Sequence, residues 1–256
     1  MKTNNTPEVE KIRLSKYVAL AHGISRHKAE VLISAGNVLI DGTPVLNPTI
    51  MIPSDIKDVT INKERVVLAK KPKETSVIVM HKPAGYVVTR SDEKDRATIY
   101  NLLPPKYKNY IYIGRLDLNS EGLLMLTNDG DLSQFFERPV NAIEREYKVR
   151  IKGILDEKKL YRIQKGVIID GISYRPKDVW TIKKKTAESA NCWIGITLVT
   201  GKNREVRKLM DHFGLTVSRL VRVRYGNIKL GALDKGAWYE LDKHTVDTIK
   251  KKYQIT

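Results

Sequence analysis

The stretch from Gly114 to Gly130 constrains the fold more than any other part of the sequence. It begins with Gly114-Arg115-Leu116-Asp117, breaks at Gly122, and continues into the apolar run from Leu123 to Leu126, which is the pattern of a buried strand. A carboxylate therefore stands just before a core element, where an unpaired charge would be costly. On spacing alone, the more common explanation is a turn or cap residue that accepts bonds from nearby backbone N–H groups. The alternative is a charge that takes part in chemistry.

The positive charge of the chain indicates a polyanionic partner. The formal net charge is +17 at pH 7, and residues 1–73 contribute 12 Lys and Arg against 7 Asp and Glu. This surplus of 5 leaves 12 of the excess charges in residues 74–256, so the charge is not confined to a tail. Nucleic acid is favoured over acidic lipid because no basic amphipathic helix stands out. A basic surface that only provides solubility is the alternative.

Several classes of protein are disfavoured by composition. The single cysteine, Cys192, excludes an internal disulfide, and no Cys/His cluster suggests a metal site. No apolar run approaches about 20 residues, and the polar N-terminus does not have the pattern of a signal peptide. We therefore predict a cytoplasmic protein with no metal, no organic cofactor and no membrane association.

The region after residue 11 has the pattern of two short helices followed by a hairpin. Leu14, Tyr17 and Val18 recur at helical spacing, and Ser25 is placed to cap a second helix. The region resembles the S4 RNA-binding domain, on the matching residues Ser25, Arg26, Ala29, Glu30, Ile33, Gly36 and Val38. The resemblance and the charge predict that the exposed helix start binds RNA phosphates through Arg26, His27 and Lys28. A basic helical hairpin that only packs against its neighbour is the alternative.

Three blocks in the rest of the chain resemble the pseudouridine synthases that modify ribosomal RNA. They are Gly114 to Asp117, the alternating strand from Glu144 to Ile151, and the segment from Gly201 to Arg207, which matches Gly-x-Asn-Arg-x-Val-Arg. The step Lys82-Pro83-Ala84-Gly85 is similar to the opening of the same catalytic domain. The resemblance implies that a uridine is flipped out of its stack and isomerised without a cofactor.

The resemblance also implies a role for each matching residue. Asp117 is expected to be catalytic, Tyr147 to lie beneath the target base, and Arg207 to pair with Asp117. Arg115 would fill the space that the base leaves, and Val206 would pack beside the base. The remaining predicted substrate contacts are Asn203, Arg204 and Lys82, although a solvated lysine is an equally good interpretation of Lys82.

A basic strand is expected near the C-terminal end of these blocks. Residues 217–226 alternate in sequence, with one face apolar and the other carrying Arg222 and Arg224. This pattern predicts that both arginines contact RNA phosphates.

The predicted fold is α+β, with an S4-like domain joined by a linker to a mixed, largely antiparallel β-sheet domain flanked by helices. The expected bounds are a disordered segment at 1–11, the S4 domain at 12–69, a linker at 70–75 and the catalytic domain at 76–256. The charged, proline-broken run from Lys70 to Glu74 suggests the boundary.

The predicted function is the isomerisation of a uridine to pseudouridine in ribosomal RNA. The second helix and residues 217–226 look more like the type that acts on the 23S RNA of the large subunit. The same reaction on 16S RNA and a non-catalytic S4-type RNA binder are the alternatives. The expected partner is ribosomal RNA or an assembly intermediate, bound by a monomer. The sequence leaves open which uridine reacts, and whether Asp117 attacks C1′ or removes the 2′ proton.

Overall fold

The computed structural model describes residues 11–22, 24, 26–67, 74–183 and 191–255. The chain divides into two compact units, residues 1–73 and 74–256. Residues 1–10, the predicted cap at Ser25 and residues 70–73 of the expected linker lie outside the described residues. Within the described part of the chain, no helix has the length and apolar character needed to span a membrane.

The N-terminal unit packs two helices against short strands. Its described elements are β1 (Lys11–Arg13), α1 (Leu14–His22), α2 (Arg26–Ser34), β2 (Val38–Ile40), β3 (Thr43–Pro44), β4 (Met51–Pro53), β5 (Val59–Ile61) and β6 (Glu64–Val66). Strand β1 pairs with β4, and the other four form a sheet in the order β3-β2-β5-β6.

The helical periodicity read from the sequence accounts for this small core. Leu14, Tyr17 and Val18 of α1 are fully buried and pack with Ile33 of α2. Lys11, which the sequence placed in the disordered segment, is the first residue of β1 and pairs with Pro53.

The C-terminal unit is built on one large sheet with four helices among its described elements. The strands are β7 (Val77–Lys82), β8 (Ile111–Ile113), β9 (Glu121–Thr127), β10 (Arg145–Lys152), β11 (Val167–Ile169), β12 (Ile172–Tyr174), β13 (Asp178–Lys183), β14 (Asn191–Leu198), β15 (Thr216–Tyr225), β16 (Ile228–Lys229) and β17 (Trp238–Glu240). The helices are α3 (Gly130–Glu137), α4 (Glu157–Lys165), α5 (Glu205–His212) and α6 (Lys243–Tyr253).

The main sheet has nine strands, seven of them in the order β13-β14-β10-β15-β9-β7-β17. Strand β8 joins it at β9 and β16 joins it at β15. Every pairing among these strands is antiparallel except that of β9 with β15. The predicted α+β class, with a mixed and largely antiparallel sheet, is confirmed.

Both faces of the central strands are covered, which explains the continuous apolar run in β9. Leu124 and Leu126 belong to a cluster that includes residues of α5, whereas Leu123 and Met125 pack with residues of α3 and α6. Alternate residues point to opposite faces of a strand, so a strand covered on both sides needs apolar residues at every position. The predicted buried strand is therefore confirmed.

Candidate active site

Asp117 lies in the turn that connects β8 to β9. Gly114 starts this turn with a φ of +68°, and the N–H of Ser120 donates to the Asp117 carbonyl at 3.0 Å. Gly85 holds the turn from the other side by donating its N–H to the Leu118 carbonyl at 2.9 Å. The Asp117 side chain is 36% exposed, so its carboxylate is open to a bound substrate.

Arg207 brings a guanidinium from α5 to this carboxylate. Its Nε lies 4.0 Å from Asp117 Oδ2. Its two Nη atoms donate to the carbonyls of Val217 and Asn119, each at 3.2 Å. Among the described residues, the buried Nε has no hydrogen-bond partner. The unpartnered Nε–H is therefore the donor that lies nearest to the Asp117 carboxylate.

The charge environment of Arg207 is unusual. Burial lowers the pKa of Arg207, the nearby Arg204 lowers it further, and Asp117 opposes both effects. A guanidinium stays protonated under all ordinary conditions, so this environment means that its charge is poorly compensated in the free protein. An anionic group that binds beside Asp117 would be stabilised by the same cation.

The loop before α5 is fixed by a glutamate that the sequence analysis did not single out. Glu205 is 4% exposed, accepts the Lys202 N–H at 3.2 Å and is hydrogen-bonded to the Thr200 hydroxyl. Arg204 is the N-cap residue of α5, and its backbone is left-handed, with a φ of +51°. The predicted substrate contacts Asn203 and Arg204 are exposed.

Tyr147 lies in a row of paired residues that crosses the sheet toward the Asp117 turn. Tyr147 pairs with Ile196 on β14 and with Arg222 on β15, Arg222 pairs with Gly122, and Gly122 pairs with Lys82. Neighbouring strands are about 4.8 Å apart, which puts the backbone of Tyr147 about 10 Å from Gly122.

The apolar surroundings of Tyr147 are shared with the predicted base-packing residue. Tyr147 and Val206 belong to the same hydrophobic cluster, together with Leu116 from the Asp117 turn. Tyr147 is 9% exposed and Val206 is 3% exposed. Arg115, beside Leu116, is exposed to solvent. The Asp117 and Arg207 blocks therefore meet at the start of β9, and Tyr147 shares their apolar cluster.

Lys82 is not a phosphate contact, and the predicted exposed side chain is wrong. It is fully buried, and four backbone carbonyls lie within hydrogen-bonding distance of its Nζ and share its three hydrogens. These belong to Pro83 at 2.9 Å, Asp117 at 3.2 Å, Leu118 at 3.3 Å and Ser120 at 2.8 Å. Since three of them are in the Asp117 turn, Lys82 holds the backbone that carries the carboxylate.

Lys82 gives the turn a dependence on pH. Burial lowers the pKa of Lys82 from 10.5 to about 8, against the opposing attraction of Asp117 and Glu121. A neutral amine has two donor hydrogens instead of three. We expect the catalytic rate constant to fall as the pH rises through about 8, because the turn loses part of its support. The rate measured at saturating RNA from about pH 6.5 to about pH 9 would show this limb.

The same titration should not unfold the protein. Between about pH 8 and 10.5 the folded state has lost a proton that the unfolded chain keeps, so this group favours folding more as the pH rises. A Lys82→Met variant should lose the alkaline limb and have a rate about 10- to 100-fold lower at neutral pH. An identical pH profile in the variant would show that Lys82 does not control the turn.

Arg222 and Arg224 do not form the exposed basic face that the sequence predicted. The pairing of β15 with β10 shifts register between Glu146 and Tyr147, which interrupts the alternation at Val223. Arg222 is 1% exposed, and its Nε donates to the Leu123 carbonyl at 2.7 Å. Arg222 is therefore not available to RNA phosphate.

Arg224 is already neutralised within the protein. It bonds Glu146 at 2.9 Å and Glu144 at 3.0 Å, and its side chain is 22% exposed. The predicted phosphate contact at Arg224 is not supported, because two carboxylates surround this one guanidinium.

The predicted RNA contacts of the N-terminal unit are accessible. Arg26, His27 and Lys28 are exposed in the first turn of α2. Within the described residues, no group of three or more His, Cys, Asp or Glu side chains could hold a metal ion.

Sequence comparisons place the two units in known families. Residues 76–212 match the RNA pseudouridylate synthase family, and residues 12–51 match the S4 domain. A protein of Haemophilus influenzae named ribosomal large subunit pseudouridine synthase B is 38% identical, over 98% of this chain and 70% of that protein. A protein of the same name from Pasteurella multocida is 37% identical, over 97% of this chain and 72% of its own length.

Two further comparisons agree with these. An uncharacterised RNA pseudouridine synthase of Rickettsia prowazekii is 36% identical, over 92% of this chain and 96% of that protein. A pseudouridylate synthase of known crystal structure covers 92% of this chain and 98% of its own, with a TM-score of 0.62 and 23% identity. That likeness concerns the fold.

Proposed function

Because the chain belongs to the RNA pseudouridylate synthase family, we propose that it isomerises one uridine of the 23S ribosomal RNA to pseudouridine. The observation that carries the proposal is the placement of the Asp117 carboxylate 4.0 Å from the Arg207 guanidinium, at the mouth of a buried strand. The names of the relatives support the large subunit over the 16S alternative. They also disfavour a non-catalytic S4-type binder.

The bound uridine would occupy the space between the Asp117 turn and the Tyr147 strand. A base within a stem is out of reach of a side chain, so the nucleotide must be flipped out and held between apolar surfaces. We assign Tyr147 and Val206 to that surface, and we assign Arg115, which is exposed, to the space that the base leaves. Asn203 and Arg204 would contact the RNA beside it.

The reaction breaks the N1–C1′ bond, turns the uracil, joins C5 to C1′, and transfers the C5 proton so that N1 ends protonated. Asp117 serves this reaction by one of two routes. It either attacks C1′ and is later displaced, or it removes the C2′ proton and returns it. Deuterium at C2′ of the target uridine distinguishes them, because only the second route breaks that C–H bond. In both, Arg207 would stabilise the negative charge on Asp117.

The remaining assignments concern RNA binding and organisation. We propose that residues 12–69 form the S4 domain, that 70–75 link it to a catalytic domain at 76–256, and that Arg26, His27 and Lys28 bind phosphates. The partner would be 23S RNA or an assembly intermediate, bound by a monomer in the cytoplasm.

The test is to map pseudouridine in ribosomal RNA from cells with and without this protein, and then in an unmodified 23S transcript treated with the purified protein. We expect one uridine of the 23S RNA to lose its modification in the deleted strain and to gain it in vitro. Loss of a 16S position instead would assign the substrate to the small subunit. Unchanged maps of both RNAs would contradict the proposal.

A further inference from the structure

Three charged side chains from separate elements meet beside the Asp117 turn: Glu121 of β9, Arg219 of β15, and Lys235 from the loop before β17. We propose that Arg219 and Lys235 form a binding site for an RNA backbone phosphate next to the flipped uridine, with Glu121 orienting both cations. This inference rests on the proposed function, since it names a contact of the same substrate. None of these three residues belongs to the motifs that the sequence predicted.

Glu121 is a buried carboxylate held by two cations. Its side chain is 9% exposed, and it receives Arg219 Nε at 3.1 Å and Nη2 at 2.9 Å. Lys235 Nζ lies 2.9 Å from Glu121 Oε2. Burial raises the pKa of Glu121, but the hydrogen bonds from Arg219 and Lys235 outweigh it and hold that pKa below its usual value. The carboxylate is therefore charged and fixes both cations in place.

The cluster has one positive charge in excess and donors that face solvent. The Arg219 side chain is 39% exposed and that of Lys235 is 53% exposed. Glu121 uses Nε and Nη2 of Arg219, which leaves Nη1 without a hydrogen-bond partner among the described residues. Lys235 likewise bonds only Glu121 within the described part of the chain, so two of its three ammonium hydrogens are free.

The ion-pair cluster at Arg224 has a different composition. There Glu144 and Glu146 both bond Arg224, Glu144 also pairs with Lys177, and the charges balance, while the Arg224 side chain is 22% exposed. At Glu121, two cations share one carboxylate, and both cations are more exposed. The first arrangement satisfies its cation, whereas the second leaves positive charge to attract an anion.

The position of the cluster matches the needs of a flipped nucleotide. Glu121 follows Ser120, the last residue of the Asp117 turn, and it pairs in parallel with Val221. Because the two strands run in the same direction, Arg219 lies two residues before that pair and therefore alongside the turn. A phosphate bound there would hold the backbone while the sugar presents C1′ to Asp117, and phosphate contacts of this kind fix register.

The test compares full-length variants in their binding to an unmodified 23S rRNA transcript across a range of salt concentrations. Arg219→Gln and Lys235→Gln should each weaken binding about 5- to 10-fold and reduce the salt slope by about 1. The single-turnover rate at saturating RNA should fall by a smaller factor than the affinity, because neither side chain contacts a reacting atom. Arg219→Lys should restore part of the affinity and the slope.

Matched controls remove the same charge elsewhere. Arg138 and Lys229 are exposed and lie outside the site, so Arg138→Gln and Lys229→Gln report the effect of net charge alone. Arg224→Gln removes an ion-paired arginine and reports loss of stability without loss of a phosphate contact. If Arg219→Gln and Lys235→Gln only lower the melting temperature and match these controls in affinity and slope, the cluster is structural and the inference is overturned.

Replacing a single RNA phosphate by an uncharged linkage shows which phosphate Arg219 and Lys235 contact. In a stem-loop that contains the target uridine in its unmodified form, one methylphosphonate beside that uridine should weaken binding of the wild type. It should not further weaken binding of a variant that combines Arg219→Gln with Lys235→Gln. If the wild type makes pseudouridine and every such linkage weakens both proteins equally, the phosphate site is excluded while the proposed function stands. If the wild type makes none but the Gln variants still lose affinity and slope, the site stands and the proposed function fails.

Discussion

Replacing Asp117 by asparagine is expected to abolish pseudouridine formation while leaving RNA affinity within a few-fold of the wild type. The amide has nearly the same shape as the carboxylate, but it can neither attack C1′ nor accept the C2′ proton. We expect the single-turnover rate to fall by about 10⁴-fold or more, the size typical for loss of a reacting group. Affinity should persist, because removing a negative charge does not weaken binding to a polyanion. Release of tritium from C5 of labelled uridine measures the rate directly.

Two controls make the result specific to the site. Asp247 is exposed on α6, so Asp247→Asn makes the same chemical change outside the site and should leave the rate unaltered. Thermal unfolding of Asp117→Asn should match the wild type, because the side chain is 36% exposed and its nearest cation is 4.0 Å away. A rate within about tenfold of the wild type would remove Asp117 from the chemistry.

The family and the fold class could be predicted because their signals are local. The helix periodicity, the apolar run in β9 and the three sequence blocks each lie within a few residues. The structure brings Asp117 and Arg207 together, although 90 positions separate them, and Tyr147 lies in the row that crosses the sheet toward them. The catalytic roles of these residues remain predictions, and the Asp117→Asn variant tests the role of Asp117.

The errors came from contacts made across long stretches of chain. Lys82 was predicted to face phosphate, yet three of its carbonyl acceptors lie 35 to 38 residues further on and are met only in the folded sheet. Arg222 was assigned to an exposed face by counting alternate residues, and the irregularity of β15 at Val223 invalidates that count. Glu121 and Arg219, which are 98 residues apart, show no local signal.

Gly122 is the clearest example of a residue whose role cannot be read from the local sequence, because that role depends on a strand about one hundred residues away. The sequence suggested that Gly122 breaks the chain before the buried strand, but it is the second residue of β9. It pairs in parallel with Arg222, and a Cβ atom there would lie 2.2 Å from the Arg222 carbonyl oxygen and 2.6 Å from its nitrogen. These are backbone atoms of a central strand, so they cannot turn aside as a side chain could.

We therefore expect Gly122→Ala to lower the free energy of unfolding by about 4 kcal/mol or more. Two effects contribute to this loss: the crowding of the added methyl group, and the strain of an alanine in a left-handed backbone conformation. Its φ of +107° is strained for any residue with a Cβ. The parallel pair that carries Glu121 would separate, and the Asp117 turn would move with it. A displacement of about 1 Å there should reduce the rate about 100-fold in the fraction that remains folded. Urea unfolding and single-turnover rates measure the two effects.

Gly171→Ala is the matched control, since Gly171 has a φ of +74° and nothing within 4 Å of an added Cβ. It carries the conformational strain without the crowding, and we expect it to cost about 1 to 2 kcal/mol with no change in rate. The difference between the two variants isolates the close approach of β9 and β15. If both variants lose the same amount of stability, the contact between β9 and β15 can open at no additional cost in free energy. The close approach of these two strands would then not be what positions Asp117.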